Sequence, residues 1–203
     1  MALLLAIQHL NRTRFDNQQA HKNELKKHLE IDAFREINKS ANEFAKSLTS
    51  ISSTLRWLKG KLELYKKNPN FFQFNINELN SDLLKKEVEI YKKSTNFIIT
   101  IEANEISVLN FDKSRKYQYE FYNTMHTFGN FRKYILSINL KVLLSNYDKT
   151  KEFYGKCDEL SEQFENIISF ISDYRIELMN HFLGNIFEKK VPERDPKIKN
   201  IKY

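Results

Sequence analysis

From Phe34 to Tyr65 the apolar residues fall at Phe34, Ile37, Ala41, Phe44, Leu48, Ile51, Leu55, Leu58, Leu62 and Tyr65. The steps alternate between three and four, which puts all ten on one edge of a helix, an a/d seam sustained over more than four heptads. Lys39, Glu43, Lys46, Arg56, Lys59 and Glu63 fill the other faces. Between Asn11 and Lys67 only Gly60 weakens the run, so the pattern predicts one long helix. Asn68-Pro69-Asn70 ends it, because proline disfavours α conformation in the residue before it.

Phe71, Phe72, Phe74 and Ile76 form a short apolar connection that is expected to plug one end of a bundle. Asn80, Ser81 or Asp82 can cap a second helix carrying Leu84, Val88, Tyr91 and Ile98. Its β-branched stretch Asn96–Glu102 also suits a strand. Helix is preferred, since no partner strand is found elsewhere to satisfy its backbone. Asp112 is the candidate cap of a third helix, with the stripe Tyr117, Phe121, Met125, Phe128, Phe131, Ile135, Ile138 and Val142 and a candidate bend at Gly129. After the polar break Ser145–Asp148, the last helix reads Cys157, Leu160, Phe164, Ile167, Ile171, Tyr174, Leu178 and His181, again at alternating steps. Pro192 and Pro196 end the fold.

Short connections imply antiparallel neighbours. The expected fold is therefore all-α: an elongated antiparallel helical bundle with long, coiled-coil-like first and last helices. A first helix of about 50 residues would exceed about 70 Å and outreach a compact domain. Part of its seam is then expected to meet another copy of the chain, giving a homo-oligomer. The boundaries that follow are an apolar and basic N-terminal segment at 1–28, a helical bundle at 29–188 and a basic tail at 189–203.

Composition narrows this picture. With 203 residues the chain can bury a core without metals or disulfides. Gly 4 and Pro 3 argue against all-β folds and glycine-rich phosphate loops, and Cys 1 excludes an internal disulfide framework and Cys-based zinc clusters. The net charge of +7 is concentrated at the ends. Residues 11–28 hold Arg12, Arg14, Lys22, Lys26 and Lys27 against Asp16 and Glu24; residues 189–203 hold six basic side chains against Glu193 and Asp195. Solvated ends, anionic lipid and RNA are the alternatives for these charges. The uncharged start, Met1 to Asn11, covers roughly 16 Å as a helix, too short to span a hydrocarbon core of about 30 Å. It lacks the basic n-region and cleavage site of a signal peptide, so the cytoplasm is the expected compartment, with peripheral attachment or anchoring at the inner membrane.

Arg175-Ile176-Glu177-Leu178-Met179-Asn180-His181, near the end of the last helix, resembles the motif of HEPN ribonucleases, an Arg followed a few residues later by His in an all-helical domain. The resemblance implies a site at a dimer interface that cleaves RNA without metal. Arg175 would bind phosphate and His181 would act as acid and base, chemistry that suits both side chains. The alternative is a packed histidine at a seam position with Arg175 at the surface. In its organisation, a short apolar start leading into a helical domain, the chain also resembles membrane-associated CRISPR accessory proteins, abortive-infection effectors and other uncharacterised bacterial membrane-tethered helical proteins.

Glu102 and Glu105 are one turn apart but lack the Glu-x-x-His partners of a di-metal bundle, so a surface position is expected and no metal or other cofactor is implied. Trp57 beside Arg56 suggests RNA stacking, although most aromatics fall on seam positions. Cys157 lies on a seam and reads as a buried, inert thiol. His9, His21 and His28 are too irregularly spaced to read as ligands. The function expected is a non-catalytic, self-associating scaffold or effector at the cytoplasmic face of a membrane. The alternatives are a HEPN-like ribonuclease in phage defence or a toxin system, and an RNA-binding accessory using the basic tail.

Overall fold

The structure of the protein, a computed structural model, describes residues 2–68, 75–104 and 111–187, and side chains within 9–68, 75–104 and 117–180. Among the described residues there are five helices and no strand: α1 (Ala2–Lys67), α2 (Ile76–Ala103), α3 (Phe111–Ser137), α4 (Leu140–Ser145) and α5 (Tyr147–Phe187). The first and last are the longest, at 66 and 41 residues. The fold is all-α. The chain divides into two compact units, one of residues 38–175 and one of residues 1–37 with 176–203.

Within the unit 38–175, polar and ring contacts fix the direction of each helix. Arg175 Nε donates to Asn38 Oδ1 at 2.7 Å, Ser52 Oγ to Glu165 Oε1 at 3.2 Å and Lys59 Nζ to Asp158 at 2.6 Å, while Arg56 also pairs with Glu165. Numbers rise on α1 as they fall on α5, so the two are antiparallel. Lys86 with Ser50 (2.8 Å) and Lys93 with Glu43 (2.7 Å) set α2 antiparallel to α1. The Lys93 ammonium, by hydrogen bond and charge, holds the Glu43 carboxyl below its ordinary range. Glu87 with Arg132 and Phe97 with Tyr117 join α2 to α3; Tyr117 with Phe170 and Phe131 with Phe153 join α3 to α5. The result is an up-down-up-down four-helix bundle that α5 closes against α1.

The seam of α1 is the spine of this core. Ala41, Phe44, Leu48, Ile51, Leu55, Leu58 and Leu62 are all at most 1% exposed. They are covered by the chain's own helices, so this stretch is not left open for a second copy. Phe44 touches Phe97, Tyr117 and Phe121 at centroid distances of 5.9, 6.1 and 5.5 Å, bringing α1, α2 and α3 together at one aromatic cluster. Gly60 does not interrupt α1 and Gly129 does not interrupt α3. Asn96–Glu102 is helical, as preferred over strand.

Three expectations are corrected. The apolar stripe on α2 is Leu79, Leu83, Ile90, Phe97 and Ile101, with Ser94 among them, whereas Leu84 and Val88 are 44% and 61% exposed. The two stripes lie one residue apart, and Glu87, on the same side as Leu83 and Ile90, pairs with Arg132 of α3. The cap of α2 is Asn75, whose side chain accepts from the Asn77 and Glu78 backbone N–H at 3.0 and 3.3 Å; Asn80, Ser81 and Asp82 lie inside the helix. The third helix stops at Ser137, and Asn139 caps a separate short helix, α4, by accepting from Lys141 and Val142 N–H. Asn146 then opens α5, and Thr150 Oγ1 donates to Leu143 O at 2.6 Å across the corner. The expected plug Phe71, Phe72 and Phe74, the Asp112 cap and Glu105 lie outside the described residues or side chains.

Candidate functional site

The same seam that builds the core accounts for the feature at the other end of α1. Continued upstream from Phe34 at steps of four and three, it reaches Glu30, Lys27, Asn23, Ala20, Asp16 and Thr13. The edge ceases to be apolar, with only the small side chain of Ala20 left among polar and charged ones. Every described side chain from His9 to Leu29 is exposed. That is a stretch of helix of about 30 Å with no buried side chain among the described ones.

Arg12, Arg14, Lys22, Lys26 and Lys27 are all on this exposed segment, against Asp16 and Glu24. Lys26 reaches Glu30 at 3.9 Å and Thr13 Oγ1 bonds back to His9 O at 2.9 Å; both are contacts within the helix. Leu10, Phe15, Leu25 and Leu29 are 55–66% exposed. At about 100° per residue they fall within an arc of about 140°, which Arg14 and Lys22 share; Lys26 and Arg12 lie beyond one edge of it and Lys27 lies on the opposite side of the helix. Long basic side chains can lay their stems along such a surface and lift their heads to a polar layer. No helix among the described residues is long and apolar enough to cross a membrane.

Arg175 lies half-buried on α5, its Nε committed to Asn38 Oδ1 on α1. That bond ties α5 to α1. His181 belongs to the helical backbone of α5, and its side chain lies outside the described ones, as do the side chains of residues 189–203. Glu102 is exposed, as expected. Among the described residues no group of three or more His, Cys, Asp or Glu side chains comes together. Trp57 is 55% exposed with Lys61 Nζ over its ring at 4.5 Å, a cation–π contact within α1.

Cys157 is buried at the α5 seam, as expected. Burial pushes its thiol from an ordinary value of 9.0 up to about 12, with Lys59 opposing and Asp158 adding to the shift. Thiolate is the reactive form. Iodoacetamide is therefore expected to leave the native protein unmodified between pH 7 and 9 and to label it fully once denatured; native labelling at the denatured rate would contradict this burial. A pKa raised on folding stabilises below the unfolded value and loses that contribution as pH rises through the folded one. The loss from Cys157 thus lies between about pH 9 and 12. Tyr117, raised by burial as well, adds in the same direction.

No family model, no curated protein and no solved structure matches this chain.

Proposed function

We propose that this protein is a self-associating helical scaffold that works at an anionic membrane surface, in the setting of the cytoplasmic leaflet, with residues 9–29 of α1 laid on the lipid. One observation carries the reading: a cationic helical segment whose described side chains are all exposed, bearing four exposed apolar side chains within one arc. A soluble bundle gains nothing from such a segment. A lipid surface supplies both of the things it lacks, opposite charge and an apolar layer at the depth of the headgroups.

The test is co-sedimentation of the full chain with vesicles. Binding to phosphatidylserine-containing vesicles is expected, falling steeply with salt, with little binding to phosphatidylcholine alone. Each cation near the surface contributes about 1 kcal/mol, so Arg12→Ala with Arg14→Ala should weaken binding by roughly 30-fold. Both residues are exposed helix positions, so far-UV circular dichroism should be unchanged. Equal binding to neutral and anionic vesicles, or none to either, would remove the reading. If the protein instead cleaves RNA in EDTA and His181→Ala abolishes the cleavage, a HEPN-like ribonuclease replaces it.

A further inference from the structure

A groove runs between α3 and α5 on the outside of the 38–175 unit. It consists of two hollows of about 400 and 190 Å³ that share Tyr134. Phe131, Leu143 and Leu160 contribute its apolar floor. Its α5 wall is charged, and the order of charges is regular. Lys149, Glu152, Lys156 and Glu159 follow one another at steps of three, four and three, on one face of the helix. The α3 wall, Thr127, Asn130 and Ser137, carries no charge. The α5 stripe alone therefore selects what lies along the groove.

Read backwards, plus-minus-plus-minus becomes minus-plus-minus-plus. Tyr154 is the midpoint: Lys149 and Glu159 are each five residues from it, and Glu152 and Lys156 each two. A second α5 laid antiparallel across this midpoint sets Lys149 opposite Glu159 and Glu152 opposite Lys156, then repeats both pairs by symmetry. A twofold interface demands this reciprocity, in which residue i meets j and j meets i. A parallel copy in register sets Lys against Lys and Glu against Glu.

We propose that this face is where two copies of the chain meet, α5 against α5 in opposite directions. The inference rests on the self-association half of the reading above and gives it a surface. The charges are already poised in the free chain. Lys156 Nζ is 3.3 Å from Glu152 and lies 5.3 Å from the centre of the Tyr134 ring. Exposed ion pairs contribute little each, whereas like charges brought face to face are costly. The stripe accordingly fixes direction and partner; Phe131, Leu143 and Leu160 are already buried within the chain, so the apolar surface left to be covered is that of the partly exposed Val142 and the edge of Tyr134.

The experiment is sedimentation velocity on the full chain over a concentration series. Two variants are compared with the natural protein: Lys149→Glu with Lys156→Glu, which makes the stripe wholly acidic, and Glu152→Lys with Glu159→Lys, which makes it wholly basic. The natural chain is expected to dimerise. Each variant alone should associate at least 10-fold more weakly, about 1.4 kcal/mol or more, and an equimolar mixture should form the heterodimer. Dimerisation of both variants with an unchanged constant would overturn this face and leave self-association standing. Two monomeric variants that ignore each other would overturn the charge register. A natural chain that stays monomeric at every concentration would remove both the face and the self-association it rests on.

Discussion

Phe44→Ala is expected to destabilise the bundle by about 3–5 kcal/mol, the usual range for removing a buried aromatic ring and leaving the space behind it. Phe44 is completely buried, and its ring meets Phe97 on α2 and both Tyr117 and Phe121 on α3. Those partners are large rings held by helices with other contacts along their length, so they cannot collapse into the gap. A domain of this kind has about 5–15 kcal/mol in total, so the loss is a large fraction of it. Phe44→Leu keeps most of the volume and should cost about half as much. The measurement is urea unfolding, with the natural chain and both variants fitted to a common slope. A Phe44→Ala midpoint indistinguishable from the natural one would mean that this cluster is not the core.

The second large effect is expected at the ion pair between α2 and α3. Arg132 Nε lies 2.6 Å from Glu87 Oε2, with the two side chains only 18% and 13% exposed. Arg132 Nη1 also reaches Asn80 Oδ1 at 3.4 Å. Arg132→Met strands a carboxylate in a site with little water, and Glu87→Met strands a guanidinium. Each single change should cost about 2–4 kcal/mol, at the lower side of what breaking a fully buried pair costs because some solvent remains. The double change removes both charges and should cost less than either single one. Additive losses would show that the two side chains do not act as a pair.

The long helices were legible in the sequence because their seams repeat without a competing frame. From Ile37 to Leu62 no second apolar stripe exists on α1, so periodicity and burial agree. On α2 they part company. Leu83 and Leu84 are adjacent and both apolar, as are Ile98 and Ile99 beside Phe97, and hydrophobic spacing alone does not choose between the two faces. The buried face is the one that carries Glu87, paired with Arg132 some 45 residues along the chain, and pattern reading has no access to such a pair. The α3–α4 break was missed for a related reason. Ile138 and Val142 continue the α3 stripe perfectly, but Asn139 turns its side chain back onto the next two N–H groups and starts a new helix.

The cationic residues of the N-terminal segment were visible in the composition. That they are all exposed was not, because exposure is a property of what fails to pack there. The seam that turns polar above Phe34 was the available signal. The α5 stripe was equally available, as Lys-x-x-Glu-x-x-x-Lys-x-x-Glu, but charges at helical spacing are ordinary on any solvated face. Only the groove beside it gives the order a meaning.

The single tryptophan sits on the water side of α1 with an ammonium group over its indole. Its emission is expected to be that of a partly wetted ring before any helix melts. An intrinsic-fluorescence titration would therefore trace the fate of one surface contact and pass over the collapse of the aromatic interior. The backbone signal near 222 nm, carried by nearly every described residue, is the optical handle on this fold.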